Sequence, residues 1–83
     1  LLRNDNMEKD LVQFRHMNMY YSPSKYVSNV YSYKTLIGYA YWRWGEFKTW
    51  GYGTYSKTTS KQITIFCNTF KLKRVDIEKE SYL

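Results

Sequence analysis

The spacing of apolar positions changes twice along this chain, and the changes divide it into parts. From Asn6 to His16 the apolar residues Met7, Leu11 and Phe14 stand at i, i+4 and i+7, the spacing of one helical face, and Asp5 or Asn6 can cap the first turn. A short N-terminal helical arm is predicted. The next segment, MNMYYSPSK, holds the only proline, Pro23, between two serines and reads as a loop from the arm to the main body. From Tyr26 to Arg43 the composition turns to Tyr, Val, Thr, Ile and Trp, which suit a pleated, half-buried surface. Two strands are expected there. In the second, Leu36, Gly38, Ala40, Trp42 and Trp44 share one face, while Ile37, Tyr39, Tyr41 and Arg43 share the other. Such a strand would lie centrally, with the first set under a helix and the tyrosines and Arg43 half exposed; Gly38 and Ala40 leave room for a close neighbour.

WGEF supplies a turn around Gly45, and EFKTWGYG runs back as a third strand until Gly51 and Gly53 interrupt it. Beyond them the spacing becomes helical, with Ile63, Phe66, Cys67 and Phe70 at i, i+3, i+4 and i+7. The run Ser56 to Lys61, made only of Ser, Thr and Lys, opens this helix, and Ser56, Thr58 or Thr59 can cap it. A strand over the same residues would put Ile63, Ile65 and Cys67 on one face and Phe66 and Phe70 on the other, leaving neither face clean, so the helix is favoured. The alternation from Leu72 to Ile77 is too short to assign, with room for a final edge strand over Val75 to Ile77. The expected fold class is therefore α+β: a small antiparallel three-stranded meander packed against a C-terminal helix, with a short N-terminal helical arm. Its expected divisions are an arm and loop over 1–24, a compact domain over 25–78 and a solvated tail over 79–83.

Composition bears on how such a fold is held together. A domain of 83 residues buries only about 60 to 65% of its unfolded surface, so bulky side chains must supply the core. Ten tyrosines exceed what so small a core absorbs, and several must stay partly exposed. A single cysteine, Cys67, excludes an intramolecular disulfide, and no apolar run approaches the roughly 18 residues of a membrane span. A soluble protein working inside a cell is the expectation.

Charge narrows the partners. Between Leu11 and Val75 stand ten Lys or Arg and one acid, Glu46, a net charge of +9 in the body of a chain whose total is +6. Such a body attracts phosphates or an acidic protein surface. Chemistry is scarce by comparison. His16 is the only imidazole and lies in the arm, Glu46 has no second acid beside it, and no metal-ligand spacing occurs. Cys67 falls on the apolar helical stripe, where a buried structural thiol is the simpler reading than a nucleophile. No catalytic, cofactor or metal site is expected. The Ser/Thr/Lys run lacks the Gly-x-x-x-x-Gly-Lys pattern of a phosphate loop, although Lys57 and Lys61 flank a helix start where an anion can sit.

Two stretches carry a resemblance. YSYKTLIGY, Tyr31 to Tyr39, followed by YSKTTSKQ, Tyr55 to Gln62, resembles a small bacteriophage domain of unknown function, in which a Tyr-Ser-Tyr-x-Thr-x-Ile strand precedes a Tyr-Ser-x-Thr-Thr-Ser-Lys helix start. The resemblance covers about forty residues; Gln62 stands where the family often has His. It implies a viral or prophage origin and a compact α+β fold, and it assigns no chemistry. Two functions then compete. In the first, Lys34, Tyr39, Tyr41, Arg43, Lys48, Tyr52, Lys57 and Lys61 bind nucleic acid, a single strand or RNA, through a positive surface with rings on which bases stack; Trp50 stands beside them. In the alternative, the same Tyr-, Trp- and Arg-rich surface docks a protein, either modulating a host enzyme or defence complex or assembling a viral particle.

Overall fold

A computed structural model describes residues 10–49 and 56–77. They form six strands and one helix: β1 (Val12–Gln13), β2 (Met19–Tyr21), β3 (Val27–Ser32), β4 (Thr35–Tyr41), β5 (Glu46–Thr49), α1 (Lys57–Phe70) and β6 (Lys73–Asp76). All six strands join one sheet in the order of the sequence. Neighbours from β1 to β5 run antiparallel, whereas β6 lies parallel to β5, so α1 is the crossover that parallel pairing requires.

The expected three-stranded meander with a helical arm is thus corrected to a six-stranded mixed sheet with one helix. The described part of the arm is a hairpin, and residues 6–9 of the expected helix lie outside the described residues. Arg15 takes a positive φ of 56°, the Phe14 N–H reaches the Met19 carbonyl at 2.8 Å, and the Met17 N–H reaches that of Phe14 at 3.1 Å. Three apolar residues were too few to hold a helix against this pairing, which buries Phe14 and Met19 in the main core. MNMYYSPSK, expected to be loop throughout, contributes β2, because Tyr20 and Tyr21 find partners in Tyr31 and Val30. The edge strand for which there was room at Val75 to Ile77 forms two residues earlier, over Lys73–Asp76.

The two strands expected between Tyr26 and Arg43 are β3 and β4, with the third at β5. Alternation on β4 holds for Gly38, Ala40 and Trp42 on the helix side and for Tyr39 and Tyr41 opposite, but it fails earlier in the strand. Val30 pairs with Gly38 and Tyr31 with Leu36, so Ile37 is an extra residue, a bulge that turns its side chain into the core. The Thr49 hydroxyl donates to the Ile37 carbonyl at 2.7 Å. Gly38 has a spatial reason to lack a side chain: a Cβ there would sit 2.6 Å from the Lys48 carbonyl oxygen and 2.8 Å from Cζ of Phe47.

The helix forms as its stripe predicts. Ser56 Oγ accepts the Thr59 N–H at 3.2 Å, capping the first turn, and Lys71 ends the helix in the left-handed conformation. Ile63, Phe66 and Cys67 are buried, Phe70 partly so, together with Gln62, which accepts the Ser32 hydroxyl at 2.6 Å. Phe66 lies at the centre of the core, its ring 5.0 Å from Phe14, 5.7 Å from Tyr21, 6.1 Å from Trp42, 5.8 Å from Phe47 and 4.9 Å from Phe70. Aromatic contacts of this kind replace the aliphatic packing that the composition withholds. Trp42 also donates its indole N–H to Ser28 Oγ at 2.8 Å. Trp44 does not join it: expected in the core, it is 63% exposed. The strand ends at Tyr41, and a turn carries Trp44 away, with its N–H on the Tyr41 carbonyl and Gly45 at φ 68°.

Candidate nucleic-acid interface

α1 covers one face of the sheet, and among the described residues no element covers the other. Strand alternation decides what that outer face presents. Beside the buried Phe47 and Thr49 of β5 stand Glu46 and Lys48; beside the buried Ala40 of β4 stand Tyr39 and Tyr41. Register brings them together, with Tyr39 opposite Lys48, Tyr41 opposite Glu46, and Glu46 beside Lys73 of β6. Tyr20 and Tyr31 are likewise register partners and extend the row of rings towards β2. Each of these four tyrosines is half-buried.

One end of this face concentrates cations on rings. The Lys48 ammonium lies 4.5 Å from the Tyr41 ring centre, and Trp44 meets the same ring edge-on at 5.9 Å. Around the sheet end, Arg43 in the β4–β5 turn lies 5.8 Å from the ring of Tyr26, and Lys25 lies 6.0 Å from it. The turn and the β2–β3 loop are tied by the Trp42 N–H on the Tyr26 carbonyl at 3.0 Å, which fixes Arg43 and Tyr26 side by side. Tyr26 is 54% exposed. Cations held over ring faces keep their outward charge while losing freedom, so less ordering is left for binding to impose.

Of the residues expected from sequence, Tyr39, Tyr41 and Lys48 share the outer face, and Arg43 stands at its end. Lys34 occupies the β3–β4 turn at the opposite end. Lys57 and Lys61 are exposed on α1, in the other layer, so the eight do not form one contiguous surface. Tyr52 and Trp50 lie outside the described residues. Sequence reasoning missed Lys25, Tyr26 and Trp44. Gly45 was the available signal for Trp44, since a residue beside a turn glycine leaves the strand's alternation; Lys25 and Tyr26 carried none, because pairing them with Arg43 takes the hairpin geometry.

Cys67 is buried under the sheet, and burial pushes its thiol from 9.0 up to about 11, with Arg74 pulling weakly the other way. A thiol held protonated is packing rather than a nucleophile. Among the described residues there is no cluster of three His, Cys, Asp or Glu, and no helix is long and apolar enough to cross a membrane. Compared with known families, characterised proteins and solved structures, the chain finds no match.

Proposed function

We propose that this is a small basic binding protein that engages single-stranded nucleic acid through the outer face of its sheet, without catalysis. The observation that carries the reading is the interleaving of cations and rings in Arg43, Tyr26, Trp44, Tyr41 and Lys48 at one end of that face. A single strand needs flat surfaces for its bases and positive charge for its backbone, and stacking contributes about 1 to 3 kcal/mol per base. An open β-sheet with half-buried rings is a platform that serves RNA recognition elsewhere. Tyr39 and Lys34 extend the same surface, and the +9 body raises the local concentration of any polyanion. The setting that goes with this reading is the interior of a cell, a phage-infected host if the resemblance holds.

The test is a salt titration with random single-stranded oligonucleotides. Affinity should fall linearly on a log–log plot against salt, and Tyr41→Ala with Trp44→Ala should lower it about tenfold or more at every salt concentration. Absence of binding at about 50 mM salt overturns the reading and leaves an acidic protein surface as the partner to seek.

A further inference from the structure

We infer that the far end of the outer face holds a pocket for a single nucleotide, its base among tyrosines and its phosphate at Lys34. The pocket measures about 340 Å³ and is lined by Leu11, Asn18, Tyr20, Tyr31, Tyr33 and Lys34. That is the low end for small-molecule sites, the size of one planar ring system with a short polar appendage.

Each lining group has a structural reason to be there. Tyr20 and Tyr31 face each other across β2 and β3, and because Met19 and Ser32 beside them are buried on the helix side, their rings form the floor. Tyr33 stands in the β3–β4 turn as a wall, 57% exposed, and its N–H binds the Asn18 carbonyl at 2.7 Å, locking this turn to the β1–β2 turn. Asn18 brings a carboxamide that can both donate and accept, the pairing a base edge requires. Among the described residues Lys34 is the charged one in the lining. Three rings select a flat aromatic ligand, and the Lys34 ammonium selects an anionic one. A nucleoside phosphate satisfies both.

Tyr33 adopts a φ of 59° at the first central position of a two-residue hairpin turn, and Lys34 does not share the positive φ. Glycine takes that position without strain, so a tyrosine there keeps a strained backbone in exchange for a ring at the pocket. The inference rests on the proposed function in one respect, that this face binds nucleic acid. The pocket adds a defined stop: from Tyr41 to Thr35 the strand runs about 20 Å, room for a strand of roughly four nucleotides ending in the pocket.

The experiment is an NMR titration of the tyrosine ring signals with adenosine 5′-monophosphate, uridine 5′-monophosphate, adenosine and inorganic phosphate. The monophosphates should shift Tyr20, Tyr31 and Tyr33, and adenosine or phosphate alone should bind at least about tenfold more weakly. Lys34→Ala should weaken the monophosphates about tenfold, and Tyr33→Gly should abolish their binding while folding at least as well as the parent, since it relieves the turn. Tetranucleotides with and without a 5′-phosphate separate a strand end from a free nucleotide: a preference for the phosphorylated one assigns the strand end, equal affinity the free nucleotide. Tyr41→Ala should leave the monophosphates unaffected and weaken the tetranucleotides. No shift of the three tyrosines at about 10 mM monophosphate, or full affinity in Tyr33→Gly, overturns the pocket even if oligonucleotides bind. Monophosphate binding without oligonucleotide binding would instead overturn the broader reading and leave the pocket standing.

Discussion

Gly38→Ala should destabilise the protein, against the usual sign of such a change. In a strand, replacing glycine by alanine ordinarily gains about 0.5 to 1 kcal/mol through the unfolded chain. Here the new methyl would lie 2.6 Å from the Lys48 carbonyl oxygen, 2.8 Å from Phe47 Cζ and 3.2 Å from its Cε2, all inside ordinary contact distance. The oxygen belongs to the backbone of the neighbouring strand, and Phe47 is completely buried, so neither neighbour can swing aside. Overpacking costs about 1 to 3 kcal/mol, and the rigid neighbours place this site in the upper part of that range. With the unfolded-state gain subtracted, a net loss of about 2 kcal/mol remains. A domain of this size holds about 4 to 12 kcal/mol in all, and each kcal/mol moves its midpoint about 4 to 8 °C, so Tm should fall roughly 8 to 16 °C. Thermal and urea unfolding followed by circular dichroism measure it. Adding Phe47→Leu removes the ring atoms but not the carbonyl, so the double variant should recover part of the loss relative to Phe47→Leu alone. A Gly38→Ala protein as stable as its parent would refute the argument from close approach.

Phe66→Ala empties the centre of the aromatic core and should cost about 3 to 5 kcal/mol, with a change in the fluorescence of Trp42, whose ring it touches. Because the folded thiol of Cys67 ionises near 11 and the free thiol near 9, the unfolded chain loses its proton first as pH rises. Stability from this group is therefore complete below about pH 9 and declines between about 9 and 11, a decline that Cys67→Ala should reduce in urea melts taken across that window. Under native conditions at neutral pH, a neutral thiol reagent should label Cys67 far more slowly than in denaturant. Lys48→Glu should weaken oligonucleotide binding about tenfold and lessen its salt slope, whereas Lys61→Glu, on the helix layer, should act only through net charge and change affinity less than about threefold.

The helix was legible because a fourteen-residue amphipathic element advertises itself through its stripe, and the hydroxyl that caps it stands immediately before it. β3 and β4 were legible for the same kind of reason, as long runs of strand-forming residues. β1 and β2 are two and three residues long, too short to show a period, and their pairing is decided by the turn at Arg15 and by Val30 and Tyr31 of β3. The bulge at Ile37 exchanges the expected faces of Leu36 and Ile37, and a single inserted residue leaves no mark on composition. The same limit applies to the candidate interface. Tyr39, Tyr41 and Lys48 follow from alternation, but the distance between Lys34 and Arg43, and the separation of both from Lys57 and Lys61, depend on which end of which layer each occupies.

The sheet's strand order, identical to the order of synthesis, governs how the chain can assemble. No strand has to be inserted between two that are already joined; each hairpin from β1 to β5 closes on its immediate predecessor, which keeps the loops to be closed short and the folding rate high. Those hairpins alone have only half a core, since Phe14, Tyr21, Trp42 and Phe47 converge on a ring that arrives with α1. Seating of Phe66 is then the expected rate-limiting event, with β6 expected to join the edge afterwards. Substitutions at Phe66 should slow folding, while those in β6 should chiefly hasten unfolding.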